Sequence, residues 1–371
     1  MNQIVLIGDA RSYHVVDWYK TIKYISNNKN ISVKLFSDLF ESENHNRLIK
    51  KFSDDPIFTI DCLMLNKQSK ISDRYRNLIK FAAVPFQSWQ IRKFWIKRNK
   101  NGIVFHAHSF YYILICAIAR VPFVATPMGS DYLVRPRQSI IYKYLSKFSV
   151  KGAKAVTVDS NLLKIILETD FSVKNIFIIQ NGIDVQSILN LCSSNKFNKS
   201  DRLLSIRALT ELYQINKFLI ARNNSNKKYN IDFVYPFLHE DYLNKIHSNL
   251  INGDIIVGRV DKITLYNYMS NSLAVISVPS SDSSPRSVYE AIFCGAKVIT
   301  TQLEWIDLLT ENMKKSVYII GEINHSNLNK ILHDISKSDN KFIPNEHDIA
   351  SFDQFKQMEF LINNIYPKVF K

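Results

Sequence analysis

Segments of β-branched and apolar residues alternate with helical patterns along most of the chain, and this alternation limits the possible folds more than any other feature. Near the start, strand patterns at Gln3–Asp9 and Ile31–Asp38 flank the helical pattern Val15–Ser26. Further on, Ala155–Ser160 and Ile176–Gly182 flank another helical pattern. Repeated strand–helix–strand order predicts parallel sheets with helices on both faces. We therefore expect an α/β protein with Rossmann-like, doubly wound parallel sheets.

A polar stretch at Cys192–Asp201 interrupts this pattern and is predicted to be a linker. The alternation restarts behind it and ends in an amphipathic helical pattern. We predict an N-terminal domain at residues 1–190, a C-terminal domain at 201–350 and a C-terminal helix at 351–371. Ligands of open α/β sheets bind beyond the carboxyl ends of the strands. We therefore expect the two domains to face each other across a cleft that holds the site.

Composition limits the kind of partner and the compartment. The 371 residues carry a formal net charge of +15, which indicates an anionic partner: nucleic acid, acidic lipid or a phosphorylated substrate. The first residues lack a signal-peptide pattern, and the apolar run Phe110–Ala119 is shorter than the ~20 residues that span a bilayer. The four cysteines are scattered without metal-ligand spacing. We expect a cytoplasmic protein without a bound metal.

Positive charge is concentrated in the window Lys70–Lys100, which contains nine basic residues and one acid, Asp73. Aromatic residues are interleaved with the basic ones: Tyr75, Phe81, Phe86, Trp89, Phe94 and Trp95. This mixture on a helix is typical of an interfacial membrane surface. One alternative is a solvated basic helix whose aromatic side chains face the core. Another is a nucleic-acid surface, for which the sequence contains no recognised motif.

The segment Ser277–Thr301 combines a strand, a polar loop and a short helix, and it carries the clearest functional signal. The predicted helix start contains the polar residues Ser284, Arg286 and Ser287. Free backbone N–H groups and the helix dipole would attract an anion there. Glu290, about one turn into the helix, suits the hydroxyl pair of a ribose, and Asp282 lies in the loop. The pattern predicts a nucleotide-sugar site; the alternative is an ordinary turn with Asp282 as a cap and Glu290 solvated.

Other polar residues follow predicted strands elsewhere. Arg207 follows the strand pattern at 203–206 and could hold diphosphate oxygens bidentately. His108 ends a strand pattern, where a histidine is either catalytic or structural. Gly129 and Asp131 follow a further strand, and Asp131 either binds an acceptor hydroxyl or caps the next turn.

Several of these segments resemble motifs of the family 4 glycosyltransferases, which have the GT-B fold, and the resemblance covers most of the chain. The second acid of the family's paired-acid signature is Glu290, and the first is Asp282 in place of a glutamate. Segments similar to other family motifs follow in the family's order: 105–110 (FHAHSF), 124–131 (VATPMGSD), 151–164, 178–184 (IIQNGID) and 203–216. The family's phosphate-binding lysine corresponds to Leu212, for which Lys217 is a candidate substitute. Its donor-binding histidine corresponds to Met128.

The resemblance implies a retaining glycosyltransferase that moves a sugar from a nucleotide-sugar to a lipid-linked glycan in surface polysaccharide synthesis. It would work on the inner face of the cell membrane without a metal or other cofactor, and its final helix would cross back to the N-terminal domain. The residues assigned to catalysis are Asp282, Arg207 and His108, and those assigned to binding are Glu290, Ser284, Arg286, Ser287, Gly129 and Asp131. Two alternatives stay open: a nucleotide-sugar 2-epimerase or hydrolase of the same fold, and a non-catalytic basic protein that binds membrane or nucleic acid.

Overall fold

The computed structural model describes residues 1–38, 55–65, 75–98, 102–194, 200–338 and 342–370. Contacts divide the chain into two units. Unit 1 comprises residues 1–181 and 355–371, and unit 2 comprises residues 182–354. The sequence-based boundaries at 190, 201 and 350 stay a prediction.

Unit 1 is built on a parallel sheet with seven strands among the described residues, in the order β3-β2-β1-β4-β5-β6-β7. These strands are β1 (Gln3–Ile7), β2 (Ser32–Asp38), β3 (Cys62–Leu65), β4 (Ile103–His108), β5 (Phe123–Thr126), β6 (Ala155–Val158) and β7 (Ile176–Ile178). The sequence analysis does not predict β3, because periodicity cannot assign an apolar run of four residues.

The helices of unit 1 lie between its strands along the chain, and three of them follow one another between β5 and β6. They are α1 (Tyr13–Asn27), α2 (Arg76–Lys97), α3 (Ser109–Ala119), α4 (Gly129–Leu133), α5 (Arg135–Gln138), α6 (Ile140–Lys151) and α7 (Asn161–Thr169). Serine side chains cap two of them: Ser139 accepts a hydrogen bond from the Tyr142 N–H at the start of α6, and Ser160 accepts one from the Leu163 N–H in α7.

Successive residues of β1 pack on opposite faces of the sheet. Val5 and Ile7 belong to an apolar cluster with residues of α2, α3 and α6. Ile4 and Leu6 belong to another cluster, with residues of α1 and the C-terminal segment. The sheet is therefore covered on both faces, as a doubly wound fold requires.

Unit 2 is built on a second parallel sheet, in the order β10-β9-β8-β11-β12-β13. Its strands are β8 (Leu203–Ser205), β9 (Ile231–Val234), β10 (Ile255–Gly258), β11 (Ala274–Ser277), β12 (Val298–Thr300) and β13 (Val317–Ile319). The strand order changes direction between β8 and β11. Such a switch point is where open α/β sheets bind ligands.

The α-helices of unit 2 are α8 (Val185–Ser194), α9 (Ile215–Asn223), α10 (Glu240–His247), α11 (Lys262–Asn271), α12 (Arg286–Phe293), α13 (Glu311–Lys314), α14 (His325–Lys337) and α15 (Glu346–Phe352). Helix α8 includes the first three residues of the predicted linker, so that part of the linker prediction is wrong; residues 195–199 lie outside the described residues. Helix α12 ends close to a glycine. Gly295 takes a φ of +74°, and the Ala296 N–H donates to the Ala291 carbonyl at 2.9 Å.

The C-terminal segment packs on unit 1. It starts as α16 (Gln354–Phe360) and continues as a π-helical turn (Leu361–Ile365) and a 3-10 helix (Tyr366–Phe370). Met358, Leu361 and Ile365 are buried in the same cluster as Ile4 and Leu6. The segment therefore helps to cover one face of the unit 1 sheet.

Candidate functional site

Unit 2 brings the two predicted donor-binding segments to one edge of its sheet. Strands β8 and β11 are neighbours, with Ser205 paired to Ile276. Arg207 follows β8, and the polar loop that contains Asp282 follows β11. Both segments therefore lie beyond the carboxyl ends of adjacent strands, at the switch point.

A cavity of about 330 Å³ lies at this edge of unit 2. The ends of β8, β9 and β10, the start of α12 and residues of α11 and nearby loops line it: Ile206, Arg207, Ala208, Tyr213, Val234, Tyr235, Pro236, Phe237, Arg259, Val260, Leu265 and Ser287. The walls are mainly apolar and aromatic, with two arginines and a serine as polar groups. Such a lining suits a ligand that has a flat apolar part and an anionic part.

Arg207 is held by three side chains around its guanidinium group. Nη1 donates to Ser287 Oγ at 2.8 Å, and Nη2 donates to the Tyr213 hydroxyl at 3.3 Å and forms an ion pair with Asp282. The guanidinium carbon lies 4.6 Å from the centre of the Tyr213 ring. These contacts fix a largely buried cation against the wall of the cavity.

The start of α12 is less open to an anion than the sequence predicts. The N–H of Arg286 donates to the carbonyl of Ser284, and the N–H groups of Val288 and Tyr289 donate to the carbonyl of Pro285. The helix dipole still points its positive end at this loop. Positive charge here therefore depends more on side chains than on backbone N–H groups.

Glu290 is almost fully buried at 6% exposure, so the alternative that it is solvated is wrong. Its Oε1 accepts hydrogen bonds from Lys262 Nζ at 2.8 Å and from the Tyr266 hydroxyl at 3.1 Å, both on α11. Burial and the charge of Glu290 raise the pKa of Tyr266, which keeps the phenol protonated as a donor. Glu290 is not among the residues that line the cavity.

The predicted substitute for the family's lysine does not line the cavity. Lys217 lies in the first turn of α9, is exposed, and donates to Gln214 Oε1 at 2.9 Å. Leu212, at the position of that lysine, is 43% exposed. The second arginine of the cavity, Arg259, is instead supplied by the end of β10.

Unit 1 buries His108 at the end of β4 with 3% exposure. Its ring stacks on His106 at 4.5 Å between centroids and meets the edge of Trp18 at 5.0 Å. Among the described residues, no group hydrogen-bonds to His108 Nε2. Burial and the charge of His14 lower the pKa of His108 to about 3, so the ring is neutral at pH 7.

His106 has a structural network. Nδ1 is 2.8 Å from the Tyr366 hydroxyl, and Nε2 is 2.6 Å from Thr126 Oγ1, which in turn is 2.5 Å from Thr157 Oγ1. The network joins β4, β5 and β6 to the C-terminal segment. Burial and the charge of neighbouring His108 lower the pKa of His106.

Asp131 acts as a cap in unit 1. Its Oδ2 accepts a hydrogen bond from the Phe110 N–H at 3.0 Å, in the first turn of α3. Its Oδ1 accepts one from the Tyr142 hydroxyl at 3.4 Å and lies 3.2 Å from Arg135 Nη1. Gly129 begins α4 next to it, and a Cβ there would make only an ordinary contact with Leu133 at 3.7 Å. Asp131 therefore caps α3, which precedes it in the chain, and not the next turn as the capping alternative expects; its predicted contact with an acceptor hydroxyl stays a prediction.

Helix α2 covers most of the basic window, and its aromatic residues divide between core and surface. Phe94 and Trp95 pack against the core, whereas Phe81, Phe86 and Trp89 are 53–54% exposed. The alternative in which all the aromatic residues face the core is therefore wrong. The ends of the window that contain Lys70, Asp73, Arg74 and Lys100 lie outside the described residues.

Metal-binding clusters and membrane-spanning helices are both absent from the described ranges. Within them, no group of three or more His, Cys, Asp or Glu side chains could hold a metal ion. No helix there combines the length and apolarity needed to cross a bilayer.

Comparison with known proteins assigns the fold. Residues 67–187 match the family model Glycosyltransferase Family 4. HepE from Anabaena, solved in complex with UDP, is similar with a TM-score of 0.68 and 13% identity over 98% of this chain and 99% of HepE. A glycosyltransferase from Rickettsia africae has a TM-score of 0.68 and 16% identity over 100% of this chain and 99% of its own. This chain has the GT-B fold.

Sucrose-phosphate synthase from Thermosynechococcus elongatus is also similar, with a TM-score of 0.61 and 12% identity over 100% of this chain and 97% of the synthase. No curated protein matches the sequence of this chain. The predicted fold class and the resemblance to GT-B glycosyltransferases of family 4 are both confirmed.

Four residues at this edge of unit 2 were not predicted from the sequence. Tyr213 orients Arg207, Arg259 lines the cavity, and Lys262 and Tyr266 bind Glu290. A weak signal existed for Lys262 and Tyr266, because they lie four apart and share a helix face. Their partner is 24 to 28 residues away, so spacing alone could not show the contact.

Proposed function

We propose that this protein is a glycosyltransferase that transfers a sugar, with retention, from a nucleotide-sugar to a lipid-linked glycan in surface polysaccharide synthesis. The observation that carries the proposal is Arg207, a buried cation fixed by Ser287 and Asp282 beside the cavity at the switch point of unit 2. HepE, which has a similar fold, has been solved with UDP, with UDP and glucose, and with UDP-glucose. We take a UDP-sugar as the first donor to test.

The donor would use the cavity in two parts. The aromatic and apolar wall formed by Tyr235, Phe237 and Leu265 suits the flat face of a nucleobase. Arg207 and the start of α12 would bind the diphosphate, with Arg259 as a further cation. Glu290 would accept hydrogen bonds from the ribose hydroxyls through Oε2, since Oε1 already has two donors.

The chemical step needs positive charge at the leaving group. As the bond between the sugar C1 and the diphosphate oxygen breaks, its electron pair stays on that oxygen, and Arg207 would stabilise the growing charge. The acceptor oxygen bonds to C1 on the face that the diphosphate leaves, and its proton passes to the leaving oxygen. Asp282 would orient Arg207 and contact the sugar. We assign no residue as a nucleophile.

We propose that the reaction needs no metal, because the assigned cations are arginines and a helix dipole. Transfer should then continue undiminished in an excess of EDTA. Loss of activity with EDTA and recovery with Mg²⁺ or Mn²⁺ would contradict this part of the proposal and leave the transfer itself intact.

Unit 1 would bind the acceptor near the ends of β4 and β5. The ring of His108 is neutral, no group among the described residues hydrogen-bonds to its Nε2, and this nitrogen could hydrogen-bond to an acceptor hydroxyl. Gly129 and Asp131 lie in the loop after β5. A lipid-linked acceptor would require the enzyme to work at the inner face of the cell membrane, with α2 facing the lipid.

Donor binding can be tested by thermal shift with UDP-, GDP-, ADP- and CMP-sugars. A ligand at 100 times its dissociation constant should stabilise the protein by about 2.7 kcal/mol. The shift should become smaller in Arg207→Ala and stay unchanged in Lys227→Ala, whose side chain is 60% exposed and paired with Asp201 away from the cavity. No shift with any nucleotide-sugar would reject the proposal and favour a non-catalytic protein.

Product analysis separates transfer from the alternatives. NMR of the product should show the anomeric configuration of the donor, and an inverted product would contradict retention alone. Release of free sugar that is unchanged by any acceptor would indicate a hydrolase. Deuterium incorporation at C2 of the sugar in heavy water would indicate a 2-epimerase.

A further inference from the structure

Helix α6 (Ile140–Lys151) exposes a row of large apolar side chains. Ile140, Ile141 and Tyr144 are each 69% exposed, and Phe148 is 55% exposed. Scattered apolar residues are normal on a protein surface, but four on three turns of one helix form a patch. Such a patch indicates a surface that is covered when the protein works.

The helical spacing directs this row away from the core of unit 1. Positions 140, 141, 144 and 148 share one face of a helix with 3.6 residues per turn. The buried residues of α6, Ser146, Ser149 and Val150, lie on the opposite face, and Val150 belongs to the core cluster of the sheet. The apolar row is therefore the outward face of α6.

The sequence segment that contains α6 is strongly basic. Residues 132–158 contain six Lys and Arg and no Asp or Glu. Residues 74–158 together contain fifteen Lys and Arg and one acid, Asp131, which nearly accounts for the +15 of the whole chain. Arg137, Lys143 and Lys151 are exposed on or next to α6.

Helix α2 has the same character and belongs to the same layer. Helix α3 contacts both α2 and α6, and all three helices pack in the cluster on one face of the sheet. Leu78, Phe81 and Trp89 of α2 are 69%, 53% and 53% exposed, and Lys93 Nζ lies 4.5 Å from the centre of the Trp89 ring. The layer thus carries exposed apolar groups and an excess of basic over acidic residues on both of its outer helices.

We propose that α6 is a second membrane-binding element, which acts with α2 as one surface on an anionic bilayer. The side chains at 140, 141, 144 and 148 would enter the boundary between headgroups and acyl chains, and the basic residues would contact lipid phosphates. A second copy of the chain is a poor occupant, since it would oppose one all-basic surface to another. Nucleic acid would match the charge but would leave the isoleucines unpaired.

The proposal takes its membrane location from the proposed function, but it assigns a helix that the basic window does not include. The test is co-sedimentation of the full chain with phosphatidylcholine vesicles, with and without phosphatidylglycerol. Variant A replaces the apolar row by glutamine (Ile140→Gln, Ile141→Gln, Tyr144→Gln and Phe148→Gln). Variant B replaces the charges (Arg137→Gln, Lys143→Gln and Lys151→Gln). The control, Ile255→Gln with Ile343→Gln, removes apolar side chains that are 50% and 73% exposed in unit 2.

We expect the wild type and the control to bind anionic vesicles equally. Variant B should lose about fivefold in affinity for anionic vesicles for each charge removed, because a basic residue near an anionic surface contributes ~1 kcal/mol to binding. Variant A should lose at least tenfold in affinity for anionic vesicles. All variants should keep the wild-type melting temperature, because the replaced side chains are on the surface.

Other outcomes separate this inference from the proposed function. A variant of α2 replaces its basic residues (Arg92→Gln, Lys93→Gln, Lys97→Gln and Arg98→Gln). If variants A and B bind vesicles like the wild type while this α2 variant does not, the α6 assignment is wrong and the membrane location stands. If the wild type binds no vesicles, both the α6 assignment and the membrane location are wrong, whereas the thermal shift with nucleotide-sugars still tests the transferase. If the protein binds duplex DNA tightly and variant A binds it equally well, the lipid assignment would be overturned in favour of nucleic acid.

Discussion

Lys262 Nζ lies 2.8 Å from Glu290 Oε1 in unit 2, and the two residues come from different helices, α11 and α12. Glu290 is buried, whereas the side chain of Lys262 is 62% exposed. A buried carboxylate is costly unless it is paired, and Lys262 and Tyr266 supply Glu290 with an ion pair and a hydrogen bond. The carboxylate assigned to the ribose is thus already oriented by the protein.

Glu290→Ala should weaken donor binding by ~2–3 kcal/mol, because two ribose hydroxyls would lose their charged partner. Isothermal titration with the donor measures this loss. Lys262→Met serves as the matched variant, since it removes the exposed partner and keeps the carboxylate; it should cost less than Glu290→Ala. Unchanged donor affinity in folded Glu290→Ala would remove the ribose assignment.

Arg207→Ala should lower kcat more than it weakens donor binding, because charge on the leaving diphosphate grows in the transition state. Removing one charged group that stabilises such charge typically costs 10²–10³-fold, or about 3–4 kcal/mol. Steady-state kinetics gives the loss in kcat, and a separate measurement of Kd gives the loss in donor affinity. Equal losses in kcat and in affinity would indicate ground-state binding instead.

The buried histidines of unit 1 should make the protein sensitive to acid. Burial and His14 lower the pKa of His108 to about 3, whereas an unfolded histidine titrates near 6.5. The unfolded chain therefore binds more protons below about pH 6.5, and stability falls as the pH drops from there toward the folded pKa. Each pH unit should cost up to about 1.4 kcal/mol for this group.

His108→Gln should flatten the decrease of melting temperature between pH 6.5 and 4. The matched control is His333→Gln, on the surface of α14, which should leave the slope unchanged. Calorimetry across this pH range measures both slopes. His106 contributes in the same direction, because burial also lowers its pKa. A slope that His108→Gln leaves unaltered would contradict the assignment.

Arg222 and Asp254 form a fully buried ion pair in unit 2, with both side chains at 0% exposure and 2.8 Å between Nη2 and Oδ2. Although burial acts to raise it, the hydrogen bonds from Arg222 hold the pKa of Asp254 below its ordinary value. Asp254→Ala leaves the cation buried without its partner and should cost ~3–5 kcal/mol in urea unfolding. Arg222→Met with Asp254→Leu should recover much of the loss; equal losses in both variants would contradict the charge explanation.

The chain pattern was sufficient to predict the sheets, but not every strand. Strands such as β4 and β11 combine apolar, β-branched residues with helical patterns on both sides, so local propensity and topology agree. Strand β3 has four residues and no period, and it forms because it pairs with the edge of β2. Whether such a short segment forms an edge strand depends on the neighbouring strand with which it pairs and not on its own sequence.

The candidate site, like the fold, could be predicted from the sequence only in part. The residues of the donor edge follow strands in sequence, and parallel topology brings strand ends together, so Arg207, Asp282 and Glu290 could be named from the sequence. The contacts between these residues could not be predicted, since Arg207 and Asp282 are 75 positions apart. The role of Asp131 as a cap on α3 likewise depends on a contact 21 positions away.

The sequence by itself determined the α/β class, the two parallel sheets and the edge of each sheet where polar residues gather. These follow from hydrophobic periods and from the alternation of strand and helix, which are local properties of the chain. The tertiary structure decided which acid pairs with Arg207, which cation faces Glu290, and which apolar side chains of α2 and α6 remain on the surface. Those outcomes depend on which segments pack against each other, and packing is a property of the folded chain that no local pattern contains.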